Sequence, residues 1–103
     1  MKRGDVVLMA DGKPRPAVVV QADGAPTPVT VILCPLSSYL VDAALYRPVI
    51  EPDATNGLTK TSQFMIDKTG PIDRDKIDKV VGTLSADDTQ RMDVALAVVL
   101  GLH

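Results

Sequence analysis

The sequence predicts a mainly β domain, a small and strongly curved barrel with one C-terminal helix packed against it. Three observations predict it. Short runs rich in valine and isoleucine recur between clusters of Gly, Pro, Asp and Ser, the pattern of strands separated by turns. The apolar spacing changes to a helical period only beyond residue 70. At 103 residues, 46 % of them hydrophobic, the chain can fill one core and reads as a single domain over residues 1–103.

DVVLMA (5–10) reads as a short buried strand, stopped by the turn signal DGKP. AVVVQ (17–21) is a second strand and ADGAPTP (22–28) a loop. VTVILCPL (29–36) is the third strand, and its unbroken apolar stretch from Val31 to Leu33 predicts burial on both faces. After the loop SSYLVDAA, LYRPVIEP (45–52) reads as a fourth strand with prolines suited to a sheet edge. DATNGL is a turn and TSQFMID (61–67) the fifth strand. In DRDKIDKVVGTL (73–84), Ile77, Val80 and Val81 stand at i, i+3 and i+4, which predicts a short amphipathic helix stopped by Gly82. Ser85 then caps the terminal helix, Asp87 and Asp88 favour its dipole, and Met92, Ala95, Leu96, Val99 and Leu102 form its apolar stripe.

No apolar run reaches the roughly 18 residues of a membrane span. The apolar stretch 6–10 is too short for a signal-peptide core, so a cytoplasmic location is expected. One Cys and one His make neither a disulfide framework nor a protein-only zinc site, so no metal and no cofactor are expected. A net charge of −2 and a pI of about 5.1 exclude a globally basic surface. The cations are uneven, however. Lys2, Arg3, Lys13 and Arg15 all precede the second strand's valines, whereas more than half of the acids lie from Asp67 onward.

Arg15 is held between Pro14 and Pro16 at the rim of the second strand. Proline restricts the backbone on both sides, and a guanidinium on a stiff stem suits two oxygens of a phosphate at once. The bland alternative is a surface arginine that opens a strand. Ser37 and Ser38 stand where the third strand leaves the core, either as an ordinary turn or as hydroxyls at a site rim. A serine nucleophile needs a base, normally His, and the one His is His103, the last residue, where fraying is expected. Cys34 reads as an inert core residue. Asp67 and Lys68 close the fifth strand, as a solvated strand end or as part of a site.

In this order RGDVVLM, RPAVVVQ, VILCPLSS, GLTKTSQFMIDK and VVGTLS with a following helix resemble the MazF/PemK-type toxins of bacterial toxin–antitoxin pairs, over Lys2 to about Leu102. The resemblance implies an SH3-like barrel of the CcdB/MazF/PemK type with a C-terminal helix, as a homodimer. It implies a metal-independent endoribonuclease that cleaves single-stranded mRNA at short motifs by 2′-OH attack. Arg15 would act at the scissile phosphate together with Ser37, and Lys13, Ser38, Asp67 and Lys68 would bind RNA. A cognate antitoxin is the implied protein partner. Two departures from the family stand out: Ser37 replaces the usual Thr, and the first loop lacks the His that some members carry. Two other readings compete. One is a CcdB-like toxin that poisons gyrase through the end of the last helix, here VVLGLH; the other is a degenerate module that only binds antitoxin.

Overall fold

The computed structural model describes residues 1–10, 12–13 and 15–102, so Asp11, Pro14 and His103, with the expectations for Pro14 and His103, lie outside the described residues. Among the described residues seven strands and one α-helix follow in order: β1 (Asp5–Met9), β2 (Arg15–Val19), β3 (Thr30–Ser37), β4 (Val49–Ile50), β5 (Ser62–Phe64), β6 (Gly70–Asp73), β7 (Ile77–Thr83) and α1 (Ala86–Leu100). All pairings are antiparallel, and the sheet runs β4-β5-β3-β2-β1-β7 with β6 also on β3. β3 is the longest strand. One of its edges pairs with β2, while the other pairs with β6 along Thr30–Leu33 and with β5 at Leu36 and Ser37, which curls the sheet into a half-barrel.

Alternation along the strands divides the core in two. On one face Val6, Val18, Cys34 and Leu36 pack with Ile50, Phe64 and Ile66 beneath Met92 and Ala95 of α1. On the other face Val7, Ala17, Val19, Val31 and Leu33 form a smaller cluster edged by Met9, Ile72 and Ile77. Burial of both faces is therefore the rule for the central strands, but Ile32, between two buried neighbours, is 40 % exposed and turns toward the end of α1. The apolar run from Val31 to Leu33 is thus buried at its ends and open in its middle.

The amphipathic helix expected over 73–84 is not there. Arg74–Lys76 make one 3-10 turn, and Ile77–Thr83 form β7, an edge strand on β1. The reason lies in two register shifts. Val6 pairs with Gly82 but Val7 with Val80, and Leu8 pairs with Lys79 but Met9 with Ile77, so Val81 and Asp78 are extra residues. Each bulge breaks the period of two, and two of them give apolar residues a helix-like spacing. Gly82 stops nothing; it admits the backbone of the 53–57 turn, since a Cβ there would lie 2.4 Å from the Asn56 carbonyl carbon. The Thr83 N–H donates to the Thr55 carbonyl at 2.9 Å across this contact.

The fourth strand shrinks to Val49–Ile50, because Pro48 and Pro52 bracket it and can donate no ladder bonds. The fifth ends at Phe64, and Ile66–Lys68 turn as a 3-10 helix, so Asp67 and Lys68 stand on a turn rather than on a strand end. The terminal helix follows its expected signals. Asp88 N–H donates to Ser85 Oγ at 3.1 Å, and Gly101 closes the helix at φ +71. Met92 and Ala95 are buried, whereas Val99, Leu100 and Leu102 are exposed, so the stripe is covered only along its first half. Among the described residues no helix is long and apolar enough to cross a membrane.

Replacing Gly82 with Ala is expected to cost about 1–3 kcal/mol, because backbone rather than a flexible side chain fills the space. Urea unfolding of the variant measures this; no loss of stability would mean that the Asn56 backbone does not close on this position.

Candidate active site

The site is built by the register of β2 on β3. Ala17 stands opposite Pro35, Val18 opposite Cys34 and Val19 opposite Leu33. Two residues beyond this ladder on each strand stand Arg15 and Ser37, both on the cleft. The ladder itself stops at Ala17, where Pro16 and Pro35 bring no N–H to extend it, and beyond that point the strands part. Arg15 shares the face of Ala17 and Val19, and Ser37 that of Leu33, so both emerge over the smaller apolar cluster and away from α1.

The result is a cleft of about 730 Å³. Its floor is apolar, with Met9, Ala17, Leu33 and Ile72, and its rim carries Lys13, Arg15, Ser37, Ser38, Tyr39 and Lys68. No carboxylate lines it among the described residues, and no described acid pairs with its three cations. A chain of net charge −2 therefore gathers local positive charge at one concave site. A second pocket of about 210 Å³ shares Pro16 and Ser38 and adds Thr59 and Lys60.

Five of the six residues singled out in the sequence, Lys13, Arg15, Ser37, Ser38 and Lys68, thus line one surface. Asp67 does not. Its oxygens accept from Arg47 Nε at 2.9 Å and Arg47 Nη2 at 3.0 Å, so it closes a latch between the 38–48 loop and the turn that carries Lys68. The paired guanidinium holds the Asp67 carboxyl below its ordinary value. Cys34 is fully buried on the opposite face, beneath α1, and burial pushes its thiol up to about 11. That is an inert thiol, as a core residue should be.

Ser37 has a role that its place in the sequence does not show. Its Oγ accepts the Tyr39 N–H at 3.1 Å and donates to the Tyr39 carbonyl at 3.5 Å, a turn that fixes the start of the loop at the edge of the cleft. Gln63 sits beside Ser37 on β5 and is buried. Both ends of its amide hold Val41, accepting its N–H and donating to its carbonyl, each at 2.8 Å. The sequence reading missed Tyr39 and Arg47, which lie in a loop without periodicity, and Gln63, a β5 residue whose amide holds that loop. No group of three or more His, Cys, Asp or Glu that could hold a metal ion occurs among the described residues.

The family model of the PemK-like, MazF-like toxins of type II toxin–antitoxin systems matches residues 2–100. Solved structures agree in fold. The Mycobacterium tuberculosis toxin MazF-mt6 superposes with a TM-score of 0.80 at 20 % identity, covering 96 % of this chain and 98 % of its own. An endoribonuclease from a Mycobacterial species, in complex with its cognate antitoxin, gives 0.79 at 18 % identity, covering 100 % and 97 %. A MazE–MazF complex from Deinococcus radiodurans gives 0.78 at 19 % identity, covering 100 % and 98 %. No curated protein matches the sequence.

Because its folded value lies below the ordinary 3.8, Asp67 adds stability above that pH and gives it up as the pH falls through the lowered value. Carbon-detected NMR titration is expected to show Asp67 below 3.8 in the native chain and back near it in Arg47→Ala. Cys34 is expected to resist a thiol reagent in the native state at pH 8 and to react fully in denaturant.

Proposed function

Because the chain belongs to the PemK-like, MazF-like toxins of type II toxin–antitoxin systems, we propose that it is an endoribonuclease that cuts single-stranded mRNA at short sequence motifs, without a metal ion, and is neutralised by a cognate antitoxin. One observation carries this reading: Arg15 and Ser37 line one cleft, with no carboxylate among its described residues, where the β2–β3 ladder opens.

The nucleophile belongs to the substrate. The 2′-oxygen of the nucleotide before the cut attacks the adjacent phosphorus, the bond from phosphorus to the 5′-oxygen breaks, and the products carry a 2′,3′-cyclic phosphate and a 5′-OH. The 2′-OH gives up its proton and the departing 5′-oxygen gains one. The protein supplies orientation and charge. The Arg15 fork pairs with the two non-bridging oxygens, whose charge grows in the transition state, and the Ser37 hydroxyl donates to the same phosphate. Lys13, Ser38 and Lys68 hold the flanking backbone, and the apolar floor excludes water from one side of it.

Under this reading the neutralising partner is a protein with an acidic, disordered segment that competes for the cationic rim and folds on it. The exposed Val99, Leu100 and Leu102 at the end of α1 suit a homodimer in the cytoplasm.

Incubation with a long single-stranded RNA in EDTA, followed by end sequencing, tests the proposal. Discrete cuts at a recurring motif with cyclic-phosphate ends are expected. Arg15→Ala should lose on the order of a hundred- to a thousand-fold in rate without loss of folding, and Arg15→Lys should recover only part of it. Equal cleavage by Arg15→Ala would remove the site. RNA left intact by well-folded protein would leave the gyrase-poisoning or antitoxin-binding readings.

A further inference from the structure

Resting on the ribonuclease reading above, we propose that Tyr39 is the base platform of the cleft, an aromatic ring on which one unstacked nucleobase beside the scissile phosphate lies. The chain has three aromatic residues. Phe64 is fully buried and serves the core, whereas Tyr39 is 79 % exposed although it lines the same cleft as Arg15, Ser37 and Lys68. Its ring is bare, but its backbone is held. The Tyr39 N–H is fixed by Ser37 Oγ at 3.1 Å, and two residues on, Val41 is clamped at both its N–H and its carbonyl by Gln63. A large apolar ring on an anchored backbone, left in water at the rim of a cationic cleft, is what recognition of a single strand uses, because every base has a π-face.

The anchoring hydroxyl is the one that faces the phosphate in the proposed reaction. Base and phosphate positions therefore share one atom, and the ring serves the nucleotide adjoining the cut rather than a distant one. Tyr39 is a positioning residue here; it touches the base and no reacting atom.

The chain has no Trp and two Tyr, which makes the ring its own reporter. In a Tyr46→Phe background Tyr39 is the sole tyrosine, and in Tyr39→Phe the remaining Tyr46 controls for light absorbed by RNA. The probe is a random-sequence, fully 2′-O-methyl single-stranded RNA 12-mer pool, which cannot be cut, with anisotropy of a labelled copy reporting binding. The expected result is strong quenching of the Tyr39 emission on binding and none beyond absorption for the Tyr46 emission. Tyr39→Phe should bind within about two-fold of the native chain, and Tyr39→Ala about ten-fold more weakly. An exposed ring lends the fold little, and circular dichroism of both variants checks that.

Bound RNA with unquenched Tyr39, or Tyr39→Ala binding as tightly as Tyr39→Phe, overturns the platform while leaving the ribonuclease reading intact. A native chain that neither binds the pool nor cuts long RNA overturns the ribonuclease reading and the platform with it.

Discussion

The pairing of Ala17 with Pro35 is the constraint on which the site depends. It sets the parity of both strands, and parity decides which side chains meet α1 and which meet the cleft. With this register Val18, Cys34 and Leu36 go under the helix, while Arg15 and Ser37 rise over the smaller cluster. A one-residue slip of β2 against β3 would take Val18 out from under the helix and turn Arg15 to the opposite face, placing a guanidinium in the core. The two fully buried clusters exclude that slip energetically, since each buried aliphatic side chain is worth roughly 1.5–3 kcal/mol of transfer free energy. The apolar packing that looks merely structural is what aims Arg15.

The prolines act at the same junction. Pro16 and Pro35 lie where the β2–β3 ladder ends, and neither has an N–H with which to prolong it. The strands part, and the space between them becomes the cleft. The neighbouring loop is then fastened at three points, by Ser37 to Tyr39, by Gln63 to Val41 and by Arg47 to Asp67. The first two bonds sit at the base of the loop, so the segment near Ser37 is fixed more firmly than its length would suggest. The third is an exposed ion pair, and its contribution is correspondingly modest. Its value is geometric: it keeps the carboxylate of Asp67 off the cationic rim while Lys68, one residue on, joins that rim.

Solved toxins of this fold superpose over nearly the whole chain at only 18–20 % identity. Such tolerance follows from the core's construction. Its positions call for aliphatic side chains of the right parity and volume, and many sequences meet that requirement. The acidic pI, which would argue against a polyanion as substrate if charge were spread evenly, loses that force once Lys13, Arg15 and Lys68 are seen together.

By itself the sequence determined β1, β2 and β3, the terminal helix with its Ser85 cap, and the cation at the mouth of β2. Each rests on local signals, β-branched runs, turn residues and a capping hydroxyl, that act within a few residues. Residues 73–84 were misread as a helix because two bulges remove the period of two from β7, and a bulge is set by the partner strand β1. Only the tertiary structure decided that Lys13, Arg15, Ser37, Ser38 and Lys68 share one cleft, that Asp67 turns away to Arg47, and that Tyr39 stands at the rim. These residues come from three separate stretches of the chain. Strand register and side-chain pairing bring them together, and both are contacts between segments that no local pattern encodes.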